Sequence, residues 1–136
     1  MPQKPQGRVR FVECRLENQA AEVTARVVLA ARDGAAFTGV SRGTRKDADL
    51  WQAADATVDA LRQVFELGPD ALKLRDVVAF EIGGSPAVAV ELRAILDSQQ
   101  RRLHGLCRAE ADRTRAAALA VLAASNRFFS EGAPAE

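Results

Sequence analysis

The chain has 136 residues, 48% of them hydrophobic and 27% charged, which is the size and composition of one ordinary globular domain. Nineteen basic side chains meet eighteen acidic ones, and a formal net charge of +1 excludes both a strongly basic nucleic-acid binder and an acidic-tail protein. No apolar run is long enough for a membrane span, the N-terminus has no apolar signal segment, and two cysteines, Cys14 and Cys107, are too few for a disulfide scaffold. The expected setting is therefore reduced and cytoplasmic.

Residues 1–7 and 131–136 read as polar, flexible tails around a single domain at 8–130. Arg8 to Glu17 is the first strand: Val9 and Phe11 share one face, then Val12, Cys14 and Leu16 take the other. That change of phase predicts a bulge near Val12. Glu22 to Ala31 is the second strand, with Val23, Ala25, Val27 and Leu29 alternating. Arg32-Asp33-Gly34 supplies turn chemistry, and Ala35 to Arg42 returns as the third strand, with Phe37, Gly39 and Ser41 on one side. A helix is expected from about Asp47 to Glu66, with Asp47 as N-cap and a stripe of Trp51, Ala54, Val58, Leu61 and Phe65, stopped by Gly68-Pro69. The order then restarts. Leu72 to Ile82 is a strand, Gly83 to Pro86 a turn, Ala87 to Leu96 a strand, Asp97 to Gln100 a turn, and Arg101 to Ala109 a strand. A helix closes the chain from about Asp112 to Phe129.

The second half repeats the first. Val23-x-Ala25-x-Val27 lies over Val88-x-Val90-x-Leu92, Phe37-x-Gly39-Val40-Ser41-Arg42 over Leu103-x-Gly105-Leu106-Cys107-Arg108, and Val58-x-Ala60 over Val121-x-Ala123. The expected fold is α+β: two tandem βββα repeats, 8–69 and 70–130, forming one pseudo-twofold domain of antiparallel sheets with helices packed on one face. In the second helix, Ala116 to Ala124 is nine consecutive apolar residues. A helix apolar all round is covered on more than one side. Ala117, Ala120, Val121 and Ala124 are therefore candidates for a homodimer interface.

Catalytic constellations are scarce. His104, the only histidine, sits on a strand face with Leu106 and Arg108. Two cysteines and one histidine have no metal-ligand spacing. Cys107 corresponds to Ser41 and reads as a small core residue, and Cys14 reads the same way. No phosphate loop or nucleophile elbow is present. Catalytic residues, metals and cofactors are all expected to be absent. One feature does recur: each third strand ends in an arginine beside a helix start. Arg42, Arg45 and Lys46 cluster at the first, Arg108 and Arg113 at the second. Helix N-termini with nearby guanidinium groups attract anions, so these five residues are the candidate ligand site. The competing reading is charge pairing with Asp47, Asp49, Glu110 and Asp112.

The segment Arg102-Leu103-His104-Gly105-Leu106-Cys107-Arg108-Ala109 is followed by a small-residue helix ending in Ala124-Ser125-Asn126-Arg127. Together with the twofold βββα order over about 8–129, it resembles the C-terminal regulatory (dimerisation) domain of 2-isopropylmalate and citramalate synthases. The resemblance implies a homodimer that binds a small-molecule effector between subunits, without synthase activity in this chain. A weaker likeness, over Gly43 to Leu61, is to the double-stranded-RNA-binding fold. That fold needs a lysine cluster at the helix start. Here Asp47 and Asp49 follow Arg45 and Lys46 at once, and the absence of tyrosine also argues against a stacking surface for nucleic acid. The function expected first is a non-catalytic, ligand-sensing regulatory module. A structural or adaptor protein acting through protein contacts is the alternative.

Overall fold

A computed structural model describes residues 9–44 and 48–131. Two βββα units follow one another: β1 (Arg10–Gln19), β2 (Glu22–Ala30), β3 (Ala36–Gly43) and α1 (Ala48–Val64), then β4 (Leu72–Ile82), β5 (Ser85–Leu96), β6 (Gln99–Arg108) and α2 (Arg113–Glu131). Each set of three strands is its own antiparallel sheet, β1-β2-β3 and β4-β5-β6. Asp47, the expected cap of α1, lies outside the described residues, as do Arg45 and Lys46.

The bulge expected near Val12 is present, for the β1–β2 register slips between Phe11 and Glu13. The second unit has the same slip between Leu74 and Asp76. In both units the slip leaves core-facing apolar residues on either side of it, Phe11 and Cys14 in β1 and Leu74 and Val77 in β4, while Val12 and Val78 stay exposed. The two later hairpins are tighter than expected. Ile82 pairs with Ser85 across Gly83-Gly84, and Leu96 pairs with Gln99 across Asp97-Ser98. All four turn residues have positive φ, the conformation of two-residue turns whose twist matches that of the strands. The strands therefore run on into segments that composition alone assigns to loops.

The ladders also fix the correspondence between halves. Val27 lies opposite Gly39 and Val90 opposite Gly105, so Val27 corresponds to Val90. The sequence comparison had placed it over Leu92, one step of the alternation further on. Gly39 rests on Ala56 and Ala60 of α1, and Gly105 on Ala120 and Ala124 of α2, which sets the helices in register as well. At both places a Cβ would fall on helix backbone. Glycine and alanine together let strand and helix approach this closely.

Each helix lies on its own sheet and also on the first strand of the other unit. α1 packs on β2, β3 and β4, α2 packs on β5, β6 and β1, and the helices pack on each other. Paired contacts hold this exchange. The Asn126 side chain on α2 accepts from Val9 N–H (3.2 Å) and donates to the Val9 carbonyl (3.3 Å). Its counterpart on α1, Arg62 Nε, donates to the Leu72 carbonyl at the start of β4 (2.9 Å). Phe65 and Phe129, equivalent residues beyond and at the ends of the two helices, stack with centroids 4.2 Å apart.

Candidate functional site

Asp112 caps α2. Its Oδ1 accepts from Thr114 N–H (3.0 Å), Arg115 N–H (3.2 Å) and the Thr114 hydroxyl (2.7 Å). The Thr114 hydroxyl above all, with the two amides, holds the carboxyl below its ordinary value of 3.8 despite partial desolvation. The helix start that was expected to attract an external anion is thus occupied by the chain's own carboxylate. Of the five expected ligand residues, Arg108 and Arg113 are exposed at either end of the β6–α2 connection, and Arg42 is exposed on the other sheet. Because the folded-state pKa is depressed, the cap stabilises at pH above 3.8 and is lost as pH falls through the lowered value. Asp112→Ala is accordingly expected to cost about 1 kcal/mol in denaturant melts at pH 7. The difference from wild type should shrink as the pH is taken down through the lowered value, below which neither carries a cap charge.

The expected interface residues are inside the chain. Ala117, Ala120 and Val121 have no exposure and Ala124 has 3%. The apolar circumference of α2 is covered by β5, β6, β1 and α1 of the same chain, so it gives no argument for a second copy.

Neither thiol is a poised nucleophile. Burial, with the Asp112 charge adding to it, pushes Cys14 up to about 11. Burial also raises Cys107, against the opposing pull of Arg115. Both are free and half-buried, less fully packed than core residues. His104 is exposed and its Nε2 lies 3.1 Å from Glu91 Oε1. Among the described residues no group of three or more His, Cys, Asp or Glu could hold a metal ion, and no described helix is long and apolar enough to cross a membrane.

Among the described residues a concave site lies at the opposite end of the second unit. α2 runs back over the sheet after β6, which brings its last turns beside the first residues of that strand. Arg101, Arg102, Leu103 and His104 of β6 and Ala124, Arg127 and Phe128 of α2 line a groove of about 390 Å³. Three arginines border this groove in a chain of nearly zero net charge, Arg101 and Arg102 from opposite faces of β6 and Arg127 from α2. The charge extends sideways, since Arg102 faces Arg93 across the ladder and Arg93 faces Lys73. The Arg93 Nε is buried without a hydrogen-bond partner among the described residues, a donor in want of an acceptor. The planar guanidinium fork is chemically suited to carboxylates and phosphates.

Sequence reasoning passed over Arg101, Arg102, Arg127 and Phe128. A signal was available. Arg101 has the same strand parity as Leu103, Gly105 and Cys107, the residues that face α2. A cation at a core-facing parity marks the place where the helix no longer covers the strand. No family model and no curated protein matches this chain.

Proposed function

We propose that this chain is a non-catalytic, ligand-sensing regulatory module whose ligand is a small anionic metabolite held between β6 and α2. The observation that carries the reading is a groove of about 390 Å³ lined by Arg101, Arg102 and Arg127. That volume falls within the roughly 300–1,000 Å³ of small-molecule sites. The raised thiols and the pairing of His104 with Glu91 support binding rather than turnover. The resemblance to synthase regulatory domains points the same way and adds a homodimer, its interface outside the helix core; the two free cysteines support a cytoplasmic setting.

The test is a thermal-shift series with mono- and dicarboxylates, branched-chain amino acids, 2-oxo acids, phosphates and acyl-CoA compounds. Molar mass in solution is measured alongside. A ligand at ~100 times its Kd adds about 2.7 kcal/mol, a shift of several degrees for a domain of this size. The shift is expected with one anionic class and is expected to disappear in Arg101→Gln/Arg127→Gln. No shift with any anion, or a shift that survives both substitutions, overturns the reading.

An adaptor role is favoured by a different observation. On the outer face of the second sheet Val78, Ala89 and Leu106 form one cross-strand row, with Val78 and Leu106 each 47% exposed. Solvent-facing apolar rows of this kind mark protein contacts.

A further inference from the structure

The third strands of the two units end their sheets differently. β3 is paired with β2 alone, and α1 closes its other edge. Asp59 Oδ2 accepts from Val40 N–H at 3.0 Å, and Gln63 Nε2 donates to the Thr38 carbonyl at 2.8 Å. Asp55 Oδ2 adds a contact to the Ser41 hydroxyl at 2.7 Å.

β6 is likewise paired on one side only, with β5. Gly105 sits over Ala120 and Ala124 as Gly39 sits over Ala56 and Ala60. The α2 residues in the places of Asp55, Asp59 and Gln63 are therefore Leu119, Ala123 and Arg127. Alanine has no acceptor for the Leu106 N–H, and among the described residues no α2 side chain bonds this edge; Cys107 Sγ alone donates locally, to the Arg108 carbonyl (3.3 Å). The flank that is polar on α1 is apolar on α2, where Leu119 and Ala123 are the only half-buried residues of the run Ala116 to Ala124. An open edge of ten residues is one that proteins usually guard.

We propose that the β6 edge receives an extended acidic segment of a partner protein as an added strand. Charge selects this occupant. Arg102, His104 and Arg108 share the outward face of β6, with Leu106 between the last two. An incoming strand that carries carboxylates opposite Arg102 and Arg108 on that face, with one apolar residue beside Leu106, meets two guanidinium groups, while His104 already lies against Glu91 Oε1. Its alternate residues turn toward Leu119 and Ala123. A second copy pairing β6 with β6 would set arginine against arginine, so the surface is not self-complementary. This inference shares Arg102 and His104 with the groove, but it is separable from the metabolite reading because it turns on the backbone edge and on Ala123, which does not line the groove.

The experiment is fluorescence anisotropy of the full chain with a labelled peptide of about eight residues, a common strand length, in which Glu alternates with Val or Thr. Binding is expected, and replacing Glu by Lys in the peptide abolishes it. N-methylation of the alternate amides that face β6 weakens it by about tenfold or more, because each removes a ladder bond. Ala123→Asp gives β6 the closure that Asp59 gives β3 and is expected to weaken binding by a similar factor with the melting temperature unchanged. Equal affinity for the N-methylated peptide overturns the proposal, as does an affinity unmoved by Ala123→Asp. Tighter binding of a single-stranded oligonucleotide of equal charge overturns it in favour of nucleic acid. Loss of peptide binding with the anion-induced thermal shift intact would sink this inference and leave the proposed function standing.

Discussion

Gly105→Ala is expected to destabilise the fold by about 3 kcal/mol, the upper end of overpacking costs, and to lower the melting temperature by roughly 10 °C. A Cβ on Gly105 would land on the Ala120 carbonyl oxygen and 2.8 Å from the Ala124 nitrogen. Both are helix backbone, so no rotamer change relieves the clash. α2 would have to lift from β6, and it is held at the same time by β5, β1 and α1. Gly39→Ala should behave alike, since its Cβ meets the Ala56 carbonyl and the Ala60 nitrogen. Gly68→Ala is the control. Nothing lies within 4 Å of a Cβ there, and the change should stay within about 0.5 kcal/mol. Equal melting of the Gly105 and Gly68 variants would show that strand and helix are not in the contact described.

Leu61→Ala is the second large effect, about 4 kcal/mol within the usual 2–5 for a buried leucine. Leu61 has no exposure. α1 is bounded by its own sheet, by β4 and by α2, so the cavity has no loose neighbour to fill it. The interlocked helices give this variant a second signature. Both halves should melt in one transition, at a lower denaturant midpoint with unchanged slope. A biphasic melt would mean that the units are independent, contrary to the Arg62–Leu72 and Asn126–Val9 contacts.

Much of the fold was legible because it is written in short-range alternation. The phase change at Val12 announced the bulge, and the strand periods placed six strands and two helices in order. The interval between Gly39 and Gly105 exposed the duplication. What local pattern could not show was which surfaces meet over long distances. The apolar girdle of α2 looked like a subunit interface because the sequence does not say that β1, more than a hundred residues earlier, lies against it. For the same reason the arginines at the helix starts drew attention away from Arg101, Arg102 and Arg127. Arg127 comes beside Arg101 and Arg102 only when α2 folds back over β6. The competing explanation for the charges there was pairing with acidic residues including Asp112; that Asp112 instead caps α2 through Thr114 and Arg115 is visible only in the structure.

The exchange of first strands between units has a consequence for how the chain can be cut and rejoined. Val9 is held by Asn126 on α2 just as Leu72 is held by Arg62 on α1. In the second case the polypeptide runs from helix to strand through a short connection at Leu67–Ala71; in the first, nothing covalent joins them among the described residues. The core does not distinguish the two arrangements. A circular permutant opened at Gly68 and linked from the end of α2 to Val9 would keep every strand, both helices and both clasps, with the halves written in reverse order.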